Sequence, residues 1–258
     1  MWMLDGLIGD LPSKPRSSSE WLDYFRVNEE PAVLPEAGPR LSEDEKEAVI
    51  SSVQEFQLGE NSEGKHLHRL AREYAQRNDD EDYLCAAEYF IREEQRHARY
   101  LRDFLATEGY GTVRKRWADT VFRRLRHLAN LEVSIGVLLT AEIIAKVYYA
   151  ALKEATRSPM LHKICARILR DEDAHVRFQA ERLAILRRGR TKTEMRITHL
   201  LHRVLYFGAC LVVWRNHGKA IRHGGMDFQI YWRHCWAEFR TALERTDPKS
   251  YTSTPNSG

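Results

Sequence analysis

Glu94 and His97, in Ile91-Arg-Glu-Glu-Gln-Arg-His-Ala-Arg-Tyr-Leu101, form one Glu-x-x-His pair, and Glu172 and His175, in Arg170-Asp-Glu-Asp-Ala-His-Val-Arg-Phe178, form another. Residues three apart share a helix face, so each pair can offer a carboxylate oxygen and an imidazole nitrogen to one point in space. That is the geometry of two ligands to one metal ion. A third pair, Glu63/His66, also occurs, and with 11 His in 258 residues roughly one such pair is expected by chance. The case therefore rests on where these residues fall in the helical pattern.

Ser42 and Glu45 carry a capping-box signature, and the stripe Val49, Val53, Phe56, Glu60, Glu63, Leu67, Leu70, Tyr74 follows it. Steps of four and three alternate without a break, which predicts one long helix with two acids at positions that call for apolar side chains. A second helix, from about Asp80 to Glu108, turns Leu84, Ala87, Ile91, Glu94, His97, Leu101 and Phe104 inward. The third carries Leu128, Leu131, Ile135, Leu138, Glu142, Ala145, Tyr149 and Leu152. The fourth carries Leu161, Ile164, Ile168, Glu172, His175, Gln179 and Leu183, and stops near Gly189. Between the second and third, residues 109 to about 126, with a short helix near Trp117 to Arg126, can travel back along a bundle. Two further helices are expected at about 192–216 and 226–246. The start is rich in Pro, Ser and Gly, with one amphipathic piece at Glu20–Arg26. The expectation is an all-α protein with an arm over 1–41, a four-helix bundle over 42–190, and a helical extension over 191–258 packed on that bundle.

Burying so many ionisable groups on inward stripes costs several kcal/mol each unless they are paired. Two divalent cations would remove that cost, whereas a salt-bridge network would need more basic partners than these stripes contain. Carboxylates with one imidazole per ion suit iron or manganese; zinc would favour thiolate or more imidazole. Lys146, four residues after Glu142, is placed either to approach the site as a donor or to form an ordinary ion pair along the helix. Tyr149 lies on the inner stripe, for packing or for redox work, with Tyr148 beside it.

Composition narrows the remaining classes. Cys85, Cys165, Cys210 and Cys235 stand far apart with no C-x-x-C, so reduced thiols in a cytoplasmic protein are expected. A net charge of +3 does not suggest a nucleic-acid partner. The stretches Arg114-Lys-Arg116, Arg123-Arg124 and Arg187-Arg-Gly-Arg190 read as solvated helix faces, or as docking sites for an acidic redox partner. Met1-Trp-Met-Leu-Asp-Gly lacks the basic start and apolar run of a signal peptide. The longest apolar run, Val204 to Trp214, is too short to span a bilayer.

With these residues in view, residues 42 to 188 resemble the ferritin-like di-iron carboxylate proteins, which take a Glu from each of two helices and a Glu-x-x-His from each of the other two. Glu142-Ile-Ile-Ala145-Lys-Val-Tyr-Tyr149 has Ala at plus three and Tyr at plus seven, similar to the ligand helices of bacterioferritins, rubrerythrins and aldehyde-deformylating oxygenases. Gly59-Glu60 resembles the Gly-Glu of the last two, while Glu63 and Leu67 replace the usual Ala and Tyr. Spacing favours Glu63, since Glu63 to Glu94 is 31 residues and Glu142 to Glu172 is 30. Resemblance favours Glu60, so both remain candidates. It further implies that Asp171 orients His97 across the helix pair, with Glu93 as a mirror partner for His175 or a surface residue. What it implies overall is an O2-activating oxidase or oxygenase with two iron ions, or manganese and iron, bound by Glu60, Glu63, Glu94, His97, Glu142, Glu172 and His175. Its partners would be a small organic or lipid-like substrate and an external electron donor, a ferredoxin or a reductase, with a homodimer allowed. The competing expectation is a ferroxidase or peroxide-scavenging iron-handling protein.

Overall fold

Alternating charge and apolar stripes without strand patterns dictate helices, and the computed structural model, which describes residues 14–29, 40–61, 64–113 and 130–251, contains only helices among them. They are α1 (Ser18–Val27), α2 (Glu43–Glu60), α3 (Gly64–Asn78), α4 (Glu81–Thr107), α5 (Leu131–Glu154), α6 (Pro159–Leu186), α7 (Lys192–His223) and α8 (Phe228–Arg245), followed by a short 3-10 turn, Pro248–Tyr251. Side chains that compete for backbone donors start them. Ser17/Glu20, Ser42/Glu45 and Thr191/Glu194 form complete capping boxes, and Asp80, Asn130, Ser158 and Asp227 cap α4, α5, α6 and α8.

The long first helix expected from the stripe is two helices. α2 stops at Glu60, capped by Asn61, and α3 begins at Gly64. Stripe counting registered only the apolar spacing, whereas Gly59, Asn61, Ser62 and Gly64 are all weak helix formers. The short helix expected near Trp117 to Arg126 lies outside the described residues, as does Glu63. α7 runs past the expected end at 216 to His223 and stops where Gly225 adopts a positive φ of 82°.

The core is organised around α5, which is buried along almost its whole length from Ser134 to Leu152. A helix that is apolar all round needs neighbours all round. α6 packs on it most extensively, α7 and α8 also pack against it, and α3 touches it. α4 joins this group through α6 and carries α2, α3 and α1. α1 buries Trp21, Leu22 and Phe25, and Trp21 Nε1 donates to Glu181 Oε2 at 3.0 Å.

Among the described residues, two helices are long and apolar enough by length and composition to cross a membrane: α5, whose apolar window is 89% buried, and α7, whose window is 22% buried. α5 is thus a core helix. α7 buries Met195, Tyr206 and Cys210 on one face and exposes Ile197, Leu200, Leu201, Val204, Phe207 and Leu211 on the other. The reading that stopped at the uninterrupted run 204–214 missed this second apolar face, because Thr198, His199, His202 and Arg203 interrupt it in sequence. Arg187, expected on a solvated face, is buried and bonded to Glu132. The other two arginine stretches lie outside the described residues.

Candidate metal centre

Four helices each bring acids to one point. Glu60 is the last residue of α2, Glu94 and His97 lie mid-way along α4, Glu142 is mid-α5, and Glu172 and His175 are mid-α6. All six are buried. They form two overlapping sets, Glu60, Glu94, His97, Glu172 and Glu94, Glu142, Glu172, His175, with the ligand atoms of each set within 4.8 Å of one another. An ion with bonds of about 2.1 Å places opposite ligands about 4 Å apart, so each set has the dimensions of a coordination sphere. Glu94 and Glu172 belong to both sets, as residues do that bridge a pair of ions. Glu63, the other candidate from this part of the chain, is outside the described residues.

Hydrogen bonding decides which imidazole nitrogen faces inward. His97 Nε2 lies 3.0 Å from Asp171 Oδ2, and His175 Nε2 lies 2.9 Å from Glu93 Oε2. Each carboxylate accepts the Nε2 proton, which leaves Nδ1 as the lone-pair nitrogen pointing at the cluster. His97 Nδ1 is 3.6 Å from Glu94 and 3.8 Å from Glu60, and His175 Nδ1 is 3.1 Å from Glu94 and 3.8 Å from Glu142. Neither Nδ1 has a hydrogen-bond partner. Nor do Glu94 Oε1 or either oxygen of Glu172. Buried polar atoms in proteins are nearly always satisfied, and a cation among these five converging orphans could satisfy them all.

Without a cation the electrostatics are severe. Burial, then the charges of Glu142 and Glu60, push the Glu94 carboxyl well above the usual range. Burial, Glu142 and Glu94 do the same to Glu172. Burial alone would lower His97, but its hydrogen bond to Asp171 and the negative charge of the nearby Glu60 and Glu94 raise it to about 9. His175 is raised well above its ordinary value against the same burial, by Glu142, Glu93 and Glu94. The two outer acids behave oppositely. Burial would raise Asp171, yet the His97 bond and charge, with bonds from Arg167 and Asn28, hold it far below the usual range. Glu93 is likewise lowered against burial by His175.

A lattice that the motif search did not reveal supports these outer acids. Arg96 Nη2 donates to Glu93 at 3.0 Å and to Asp171 at 3.3 Å, and Arg167 Nε donates to Asp171 at 2.8 Å. Asn28, at the end of α1, bridges the same two acids with Nδ2 at 2.7 and 3.0 Å. Two of these had a sequence signal, because Arg96 follows Glu93 by three and Arg167 precedes Asp171 by four. Asn28 had none. Tyr149 donates its hydroxyl to Glu60 Oε1 at 2.5 Å, and Gln179 Nε2 donates to Glu142 Oε1 at 3.0 Å.

Lys146 goes elsewhere. Its ammonium sits 2.6 Å from both Asp173 and Glu238, so it ties α5 to α6 and α8 and makes neither the expected donor to the site nor an ion pair with Glu142. The two neighbouring acids offer the buried ammonium two partners away from the cluster.

Four carboxylates and two neutral imidazoles carry a charge of about −4, which two divalent cations neutralise. The cluster could therefore hold metal by size, charge and donor type. No protein-family model, curated protein or solved structure matches the chain.

Proposed function

We propose that the protein is a di-iron carboxylate oxidase or oxygenase of ferritin-like architecture that activates O2. One observation carries the reading: two four-residue sets share Glu94 and Glu172, each set adds one imidazole, and Glu60 and Glu142 complete the two ends. This is the donor pattern of ferritin-like di-iron bundles. Oxygen-rich donors with one nitrogen per ion favour iron or manganese over zinc. Two iron(II) ions held there would supply two electrons to dioxygen, and an external reductant such as a ferredoxin or reductase would restore them between turnovers.

The chain's own residues then have definable tasks. Asp171 and Glu93 fix both imidazoles in the Nε2–H tautomer. Gln179 and Tyr149 each occupy one oxygen of a terminal carboxylate, which limits how far Glu142 and Glu60 can swing. Tyr149 also places a hydroxyl proton next to Glu60, within the reach expected of a proton donor. A small cavity lined by Leu67, Phe90, Ile135, Leu138 and Phe178 reaches Gln179 and has about 10 Å3 of room, the size of one water. A small organic or lipid-like substrate would need side chains there to move.

The test is iron loading of the purified chain under argon followed by air. Two irons per chain, rapid O2 uptake, and loss of both in Glu172→Ala and His97→Ala are expected. Unchanged metal content in both variants would remove the site. Iron oxidation that continues well beyond two per chain, with a mineral-filled assembly by light scattering, would replace the oxygenase reading with the ferroxidase one.

A further inference from the structure

The face of α5 turned away from the metal centre borders a second cavity, about 270 Å3 in volume, that shares no residue with the cluster. Its polar end is built from the end of α6 and the start of α5. Arg187 Nε donates to Glu132 Oε1 at 2.9 Å, and Arg190 Nη2 donates to the other oxygen at 2.6 Å. Arg190 Nη1 is occupied by Thr198 at 2.7 Å. Two guanidiniums thus share one carboxylate directly, with Asp247 acting on Arg187 from farther away.

Arg187 is only 3% exposed, and its Nη1 is buried with no hydrogen-bond partner. A charged donor left in that state is costly, and an anionic acceptor is what satisfies it. Away from the arginines the wall becomes apolar, with Val133 and Val137 from α5 and Leu201 and Leu205 from α7. Gly136 lies between these two parts. It is buried, yet a Cβ built on it meets nothing within 4 Å. Glycine is a poor choice inside a helix, so the open space beside it comes at the expense of local helix stability. The mouth of the cavity has Val133 and Leu201 at 51% and 64% exposure and continues onto the exposed apolar face of α7.

We propose that this cavity binds a small amphipathic carboxylate, with the anion on Arg187 and Arg190 and the alkyl chain along Val137, Leu201 and Leu205 toward α7. At about 30 Å3 for each water-sized group, 270 Å3 holds about nine such groups, close to the size of octanoate. The binding requires no metal, so it stands or falls separately from the di-iron reading.

Calorimetric titration of the full chain with octanoate, octan-1-ol and acetate tests it. Octanoate should saturate at one per chain and bind at least tenfold more tightly than octanol, which lacks the charge, or acetate, which lacks the chain. Arg187→Met should weaken octanoate at least tenfold and leave octanol unchanged. Gly136→Leu fills the space with a better helix former and should abolish both, with helix content by circular dichroism retained. Should Arg187→Met fail to fold because Glu132 loses a partner, Gly136→Leu decides the matter alone. Absence of saturable octanoate binding to the wild type, equal affinities for octanoate and octanol, or undiminished binding to Gly136→Leu each overturns the proposal.

Discussion

His97 and His175 receive their orientation from carboxylates outside the cluster, and those carboxylates are themselves locked by Arg96, Arg167 and Asn28. An imidazole whose ring is fixed and whose lone pair is aimed needs no reordering when a cation arrives. Removing that support typically reduces metal affinity about 10- to 100-fold. Asp171→Asn keeps the shape but discards the charge facing His97, so this variant should lose about that factor at the Glu60/His97 end and retain the ion at the Glu142/His175 end. Glu93→Gln should give the mirror loss. Binding titrations that show two unaltered ions in both variants would refute the assigned roles. Asn28 belongs to this same lattice although it lies 65 residues from Glu93, so the N-terminal helix acts as a lid over the two outer acids.

At the scale of elements, the helices with unbroken stripes were the legible ones. α4, α5 and α6 are long, strongly patterned and marked by Asp80, Ser158-Pro159 and the glycines that follow them, and six of the seven candidate ligands follow from their stripes and from α2. The break after Glu60 was not legible by spacing, because α3 resumes at Gly64 with Leu67 and Leu70 still on the four-and-three spacing set by Val53 and Phe56. The fate of Lys146 was also hidden, since it depends on Asp173 and on Glu238, 92 residues away on α8. The α7–α8 corner shows why packing of this kind escapes a pattern search. A Cβ on Gly224 would lie 2.1 Å from the backbone oxygen of Ala151, so α7 can turn over α5 only with glycine there. Gly224→Ala must push α7 off α5 and should cost about 1–3 kcal/mol or more, as overpacking does. A chemical-denaturation midpoint equal to that of the wild type would show that the corner yields freely.

For the whole molecule, the buried Glu/His cluster is a stability problem placed in its middle. Glu172 is fully buried with neither oxygen satisfied, and it faces Glu94 and Glu142 across the cluster. Such a group weakens the metal-free fold, because the desolvation of an uncompensated acid is not returned by any partner. A cation reverses the sign, since it binds the folded chain and has no equivalent site in the unfolded one; free metal at 100 times its Kd adds about 2.7 kcal/mol per ion. Function and metal-free stability should therefore be opposed at this residue. Glu172→Leu substitutes a side chain of similar size that needs no partner, and it should raise the metal-free melting temperature, by the equivalent of about 1–4 kcal/mol. It should also abolish the further rise that iron(II) produces in the wild type. Melts of both proteins with and without iron(II) under argon separate the two effects. If Glu172→Leu is less stable than the wild type when both are metal-free, the acids are held by hydrogen bonds among themselves, and the cluster is a buried polar core whose stability does not depend on a cation.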